Sequence, residues 1–151
     1  MRLVVDTSGV LTALDSAAPA HQAFHEALTA ADAAAIITPI TVAEVHYLLT
    51  SRRAYQTAND FLEDIANGFY DLVNLNAKDY ARAAALISQY SGRLRRKKPK
   101  AGSIDLADAM NVIAAARAQT SCVLTADADY RLVRPLSAHA AFTLVPADLG
   151  G

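Results

Sequence analysis

The chain has 151 residues, of which 53% are hydrophobic and 19% charged, so it can bury a sizeable core and is not an intrinsically disordered protein. Its net charge of −1 points to no class of partner, because acidic and basic residues are segregated along the chain. A single cysteine excludes an internal disulfide, and we expect neither a signal peptide nor a membrane span. We therefore expect one cytoplasmic domain over residues 1–151.

The first predicted strand, at residues 3–5, leads directly into Asp6, Thr7 and Ser8. In open α/β sheets, ligands bind in the crevice beyond the carboxyl ends of the strands, so an acidic residue here is a candidate site residue. The simpler interpretation is that Asp6 caps a helix that begins near Gly9, since aspartate is favoured at that position.

Helices and strands alternate through the rest of the chain. We predict, in order, helices at 10–14 and 20–31, a strand at 35–38, helices at 41–49 and 56–66, a strand at 70–75, helices at 79–91 and 104–116, and strands at 122–124 and 142–145. This alternation predicts a parallel sheet covered by helices on both faces.

The helix predicted at residues 41–49 is mostly apolar and carries one carboxylate, Glu44, near its start. Glu44 is either a partly exposed helix residue or a second acidic group directed at the crevice beside Asp6.

Residues 93–100 form a basic run, in which six of the eight residues are basic, namely Arg93, Arg95, Arg96, Lys97, Lys98 and Lys100. Such runs attract phosphate backbones without reading sequence, and Pro99 and Gly102 favour a loop here. We therefore predict RNA binding by this run. The alternative is a solvated loop that keeps the protein soluble or contacts a protein partner.

The helix at residues 104–116 is apolar on nearly all sides except at Asp105, Asp108 and Asn111, which are spaced three apart and form one polar stripe. Burying a carboxylate without a partner costs several kcal/mol, so we expect a positive charge beside this stripe. The next strand ends at Thr125 and brings Asp127 and Asp129 into the following turn.

Four motifs in this order resemble the PIN-domain ribonucleases, although none is specific by itself. They are Asp6-Thr-Ser, Glu44 before a hydrophobic run, Asp108-Ala within the apolar helix, and Thr125-Ala-Asp127 followed by an aromatic at Tyr130. Within that superfamily, the length and spacing look like VapC, the toxin of bacterial VapBC toxin–antitoxin pairs.

The resemblance implies a three-layer α/β/α fold with a central parallel sheet of about four to five short strands. It further implies a Mg²⁺- or Mn²⁺-dependent endoribonuclease that cuts structured RNA, either tRNA or ribosomal RNA, is inhibited by a cognate antitoxin and forms a homodimer. The catalytic, metal-binding residues would be Asp6, Glu44, Asp108 and Asp127.

Electrostatics favours the same interpretation. Carboxylates that converge within about 5 Å repel each other by roughly 3 kcal/mol per pair at an effective dielectric near 20, unless a cation or a proton intervenes. One or two Mg²⁺ or Mn²⁺ ions with oxygen ligands would relieve this repulsion and supply a nucleophilic water.

Other polar residues near these motifs are candidates for supporting roles. Asp129 is a candidate outer-sphere ligand or ligand of a second ion. Asp105 is better explained as a structural residue that complements the helix dipole, or as a residue that supports a metal ligand, than as a ligand itself. The remaining candidates orient a carboxylate or satisfy local backbone groups: Thr7, Ser8, Asn111 and Thr125.

Two other functions would also use this pattern. A magnesium-dependent phosphotransfer domain would place aspartate at strand ends, but the chain lacks a second aspartate two residues after Asp6 and has no lysine after Lys100. A non-catalytic RNA-binding or protein-binding module could retain the acidic pocket without cutting.

Overall fold

A computed structural model describes residues 1–94 and 104–150, with the backbone alone for residues 91–94. The described residues contain five strands: β1 (Arg2–Val5), β2 (Ala34–Ile37), β3 (Tyr70–Leu72), β4 (Cys122–Leu124) and β5 (Thr143–Val145). The helices are α1 (Thr7–Leu14), α2 (His21–Thr29), α3 (Pro39–Ser51), α4 (Tyr55–Ala66), α5 (Ala77–Leu94) and α6 (Leu106–Arg117), with a 3₁₀ helix at Ala128–Arg131.

All five strands are parallel and lie in the order β3-β2-β1-β4-β5. Alternate residues of each strand point to opposite faces of the sheet. In β1, Val4 packs with the core that α5 and α6 cover, whereas Leu3 and Val5 pack with the core that α1 to α4 cover. The expected three-layer α/β/α fold with a parallel sheet of four to five strands is therefore confirmed.

Proline 39 both ends β2 and begins α3, which starts two residues earlier than the sequence pattern predicts. A proline in the first helical turn removes an N–H that would have no partner in the helix. The Thr38 side chain caps the helix by accepting a hydrogen bond from the Thr41 N–H at 3.2 Å. Helix α1 likewise begins earlier than predicted, at Thr7, directly after Asp6.

Glycine 9 allows α1 to lie against the end of β4. A Cβ atom at this position would lie 2.1 Å from the Leu124 carbonyl oxygen, so any larger residue would push the helix away from the strand. This close approach brings the end of β1 next to the end of β4.

The strand order reverses between β1 and β4, because the chain first builds outward to β2 and β3 and then returns to the other side of β1. A topological switch point of this kind opens a crevice at the carboxyl ends of the strands. Asp6 follows β1 and Thr125 follows β4, so both lie in this crevice, and the Asp6 N–H donates to the Leu124 carbonyl at 3.0 Å.

Among the described helices, none is both long and apolar enough to cross a membrane.

Candidate active site

The Asp6 carboxylate lies at the centre of the crevice and is 5% exposed. Its Oδ2 accepts hydrogen bonds from Thr125 Oγ1 at 2.9 Å and from Ser8 Oγ at 3.1 Å. Its Oδ1 accepts from Asn111 Nδ2 at 3.2 Å. Side chains from α1, α6 and the end of β4 thus orient one carboxylate. All three donors, Ser8, Asn111 and Thr125, are among the residues predicted to play supporting roles.

Tyrosine 130 connects Asp6 to a second carboxylate. Its hydroxyl accepts from Asn111 Nδ2 at 2.9 Å and lies 3.4 Å from Asp6 Oδ1 and 3.3 Å from Asp108 Oδ1. The ring is 2% exposed and lies in the core between the sheet and α6. We call these four residues, Asp6, Asp108, Asn111 and Tyr130, the acid cluster.

Sequence reasoning did not assign Tyr130 a place in the site. The available signal was the aromatic residue that follows Thr125-Ala-Asp127, which the resemblance includes only as a motif position. The 3₁₀ helix at Ala128–Arg131, which turns this side chain inward, is too short to have a periodic pattern in the sequence.

Aspartates 105 and 108 form a reciprocal capping box at the start of α6. Asp105 Oδ1 accepts from the Asp108 N–H at 2.9 Å, and Asp108 Oδ2 accepts from the Asp105 N–H at 3.1 Å. Asp105 is exposed at the N-cap, whereas Asp108 directs its other oxygen into the acid cluster. The two aspartates therefore have different surroundings.

The carboxylates of the acid cluster have no basic partner among the described residues, whose ion pairs are the N-terminus with Asp32, Arg117 with Asp79, and Arg131 with Asp148. Burial raises the pKa of Asp6 despite the hydrogen bonds that it accepts. Burial, followed by the charge of Asp105, raises the pKa of Asp108 to about 8. The crevice is thus an electrostatic environment that favours a cation.

Asp127 and Asp129 lie at the edge of this crevice. The Asp127 N–H donates to Thr125 Oγ1 at 2.9 Å, and Asp127 Oδ1 accepts from the Asp129 N–H at 2.8 Å. The charge of Asp127 contributes to the raised pKa of Asp6. Asp129 lines a small hollow together with Asp108 and Tyr130, and burial, followed by the charge of Asp127, raises its pKa.

Glutamate 44 and threonine 7 are not joined to the acid cluster by side-chain hydrogen bonds. Glu44 is half-buried on α3, one turn after Thr41, whose hydroxyl donates to Asn111 Oδ1 at 3.5 Å. The backbone of Thr7 donates to Asp6, but its Oγ1 is buried without a hydrogen-bond partner among the described residues.

The predicted convergence of four carboxylates is therefore present only in part. Asp6 and Asp108 meet at one hydroxyl, whereas in residues 1–94 and 104–150 no three carboxylate, imidazole or thiol groups lie close enough to bind one metal ion.

The predicted RNA-binding residues cannot be placed in the site. Arg95, Arg96, Lys97, Lys98 and Lys100 lie outside the described residues, and for Arg93 only the backbone, within α5, is described. The next described residue is Ile104, directly before the capping box of α6. The basic run is thus connected in sequence to the helix that carries Asp108.

Comparison with known proteins finds one family and several relatives. The sequence pattern of the PIN domain matches residues 3–135. Ribonuclease VapC26 of Mycobacterium tuberculosis is 30% identical over 145 residues, which covers 95% of this chain and 100% of that protein.

Two crystal structures have a similar fold. VapC20 of Mycobacterium tuberculosis, described as a toxin that cleaves the sarcin-ricin loop, superposes with a TM-score of 0.69 and 13% identity over 84% of this chain and 91% of that one. VapBC2 of Rickettsia felis, bound to a DNA fragment from its promoter, superposes with a TM-score of 0.63 and 16% identity over 95% and 98%. At these identities the two structures support the fold alone.

Proposed function

This chain belongs to the PIN-domain family and is a VapC-type endoribonuclease toxin of a toxin–antitoxin pair, and we propose that its activity depends on a divalent metal ion bound at the acid cluster. One observation carries the proposal. Asp6 and Asp108, which are distant in sequence, meet at the Tyr130 hydroxyl in a buried crevice that contains no basic partner from the described residues.

The acid cluster fits Mg²⁺ or Mn²⁺, because these ions prefer carboxylate oxygens and such ligands are present without a compensating charge. Asp6 and Asp108 would hold the ion. The resemblance adds Glu44 from α3 and Asp127 from the end of β4 as ligands whose side chains would turn towards the ion on binding, and Asp129 as a candidate for a second ion. When bound, one or two such ions lower the pKa of a water molecule and stabilise the leaving oxygen at phosphorus.

The chain's own residues would orient the ligands and the substrate. Thr125 and Ser8 hold Asp6 Oδ2 in one direction, and the capping box does the same for Asp108. The Asp127 N–H donates to the side chain of Thr125, which also holds Asp6. A shift at the end of β4 would therefore move both proposed ligands, Asp6 and Asp127, together. These contacts support a site whose carboxylates are positioned before substrate arrives.

Residues 93–100 are proposed to bind the RNA backbone next to the carboxylates. The support comes from their charge and from their connection to α6, which begins two residues after Ile104. Replacing Arg95, Arg96, Lys97 and Lys98 with glutamine should reduce the dependence of RNA binding on salt concentration. An unchanged slope would contradict this role and leave the solvated loop as the explanation.

The partners proposed for the chain are a cognate antitoxin, a structured RNA such as tRNA or ribosomal RNA, and a second copy of itself. The first of these is proposed because the chain is similar to a VapC ribonuclease, and VapC is the toxin of VapBC toxin–antitoxin pairs. Cytoplasmic localisation is proposed because a toxin of this kind acts where such RNA occurs.

Metal-dependent cleavage of RNA is the experiment that tests the proposal. The purified chain should cut total RNA with Mg²⁺ or Mn²⁺, lose activity in EDTA and regain it when Mn²⁺ is restored. Asp6→Asn should abolish cleavage, whereas Asp64→Asn, at an exposed aspartate on α4, should not. Cleavage that persists in EDTA would contradict metal dependence. Binding of RNA without cutting would instead support the non-catalytic module.

A further inference from the structure

The hydroxyl of Tyr130 occupies a fixed position between two carboxylates. The ring is buried in the core and packs edge-to-face against Phe142, with centroids 5.8 Å apart and planes at 81°. A buried aromatic ring held in this way cannot swing without disturbing its neighbours. The position of the hydroxyl is therefore determined by the core rather than by the carboxylates.

The hydrogen bonds of Asn111 determine which way the Tyr130 proton points. Asn111 is fully buried, and its Oδ1 accepts from the Thr41 hydroxyl at 3.5 Å. Its Nδ2 therefore faces Asp6 and Tyr130, and donates one proton to each. Because the Tyr130 oxygen accepts from Asn111, its own proton is available to a carboxylate.

Asp108 accepts fewer other hydrogen bonds than Asp6 does and is therefore the better acceptor for the Tyr130 proton. Asp6 already accepts from Thr125, Ser8 and Asn111. Asp108 Oδ2 accepts from the backbone of Asp105, but for Asp108 Oδ1 the Tyr130 hydroxyl is the one donor among the described residues. Without this hydroxyl, Asp108 Oδ1 would have no group directing it towards Asp6.

We propose that Tyr130 is a positioning residue that sets the separation of Asp6 Oδ1 and Asp108 Oδ1 for a bound divalent ion, an inference that rests on the proposed function. The hydroxyl acts through the carboxylates and does not touch the substrate. Partners of metal ligands typically change metal affinity 10- to 100-fold when they are removed. Phenylalanine at position 130 would preserve the ring packing and remove only the hydroxyl.

The test is titration calorimetry of the metal-free protein with Mn²⁺. Tyr130→Phe should bind Mn²⁺ at least about tenfold more weakly than the wild type. Tyr90→Phe is the matched control, because Tyr90 is also buried in the core of α5 and α6, while its hydroxyl accepts from the backbone N–H of Arg134 at 3.0 Å and not from the acid cluster. This control should bind Mn²⁺ as the wild type does.

A variant of Asn111 tests the same network of hydrogen bonds from a second position. Asn111→Leu should also weaken Mn²⁺ binding, and the double variant with Tyr130→Phe should lose less than the product of the two separate losses, because both residues act on the same pair of carboxylates. In RNA cleavage, Tyr130→Phe should raise the Mn²⁺ concentration for half-maximal rate about tenfold and leave the rate at saturating Mn²⁺ within about twofold.

The outcomes separate this inference from the proposed function. Absence of Mn²⁺ binding by the wild type would overturn both. If the wild type binds Mn²⁺, either of two results would overturn the positioning role alone. One is that Tyr130→Phe binds Mn²⁺ as tightly as the wild type or more tightly. The other is that Tyr90→Phe loses as much Mn²⁺ affinity as Tyr130→Phe. A lower rate at saturating Mn²⁺ with unchanged metal dependence would also overturn it, since Tyr130 would then act in the chemical step.

Discussion

Helices α5 and α6 begin with the same reciprocal cap, but the aspartates in the first turn of each helix, Asp79 and Asp108, have opposite surroundings. In α5, the Asn76 N–H donates to Asp79 Oδ2 at 2.8 Å and the Asp79 N–H donates to Asn76 Oδ1 at 3.2 Å. In α6, Asp105 and Asp108 exchange the equivalent bonds. The difference lies in what meets the free side of each carboxylate.

Asp79 forms an ion pair with Arg117, from the last turn of α6, whereas Asp108 meets the Tyr130 hydroxyl and lies near Asp6. The hydrogen bond from the Asn76 backbone, assisted by Arg117, lowers the pKa of Asp79. Burial raises the pKa of Asp108 to about 8. One cap thus ties two helices together, whereas the other holds a carboxyl whose ionised form is disfavoured unless a cation binds beside it.

Exchanging each carboxylate for an amide should separate these two roles most strongly. Asp108→Asn should reduce RNA cleavage by at least about 10³-fold, because loss of a metal ligand removes several kcal/mol of transition-state stabilisation. Its thermal stability without metal should equal or exceed that of the wild type, since the amide cannot ionise in surroundings that disfavour a carboxylate. Asp79→Asn should cut RNA normally and melt at a lower temperature. The reverse pattern would show that the two caps have been assigned the wrong roles.

Adding Mn²⁺ should stabilise only the protein with an intact acid cluster. At about 100 times the dissociation constant, a ligand specific to the folded state adds about 2.7 kcal/mol, which corresponds to roughly 5–10 °C in Tm for a chain of this size. We expect this rise in the wild type and in Asp79→Asn, but not in Asp108→Asn. Differential scanning fluorimetry with and without Mn²⁺ measures it. An equal rise in all three proteins would place metal binding elsewhere.

Breaking the ion pair of α5 should reveal its structural role. Arg117→Met leaves Asp79 buried without its charged partner, so Tm should fall by several degrees, and Asp79→Asn in the same chain should restore part of the loss. Because the pKa of Asp79 is lowered in the folded state, its stabilisation is present above its ordinary pKa of 3.8 and is lost as pH falls below that value. Urea unfolding of the wild type and Arg117→Met between pH 3 and pH 7 measures this difference.

The fold could be predicted well from the sequence because its signals are local. Alternation of strands and helices, Pro39 and the apolar pattern of α6 each act over a few residues, and Asp6 at the end of β1 follows from the same pattern. The partners of the buried carboxylates depend on contacts over long sequence separations. Asp79 meets Arg117 across 38 residues and Asp108 meets Tyr130 across 22, so the sequence did not distinguish a paired aspartate from an unpaired one.

The smallest difference between the two caps is the identity of the N-cap residue that exchanges hydrogen bonds with each aspartate. The N-cap is the neutral Asn76 in α5 and the charged Asp105 in α6, and the charge of Asp105 contributes to the raised pKa of Asp108. Asp105→Asn would make the second cap resemble the first, and asparagine caps helices about as well as aspartate, so stability should change by less than about 0.5 kcal/mol. RNA cleavage should remain within about threefold of the wild type, because Asp105 directs its side chain to the backbone and not into the acid cluster. RNA cleavage assays and urea unfolding of this single variant test both expectations. A loss of cleavage as large as that of Asp108→Asn would make Asp105 a metal ligand. The contrast between the two caps would then extend to both aspartates of α6.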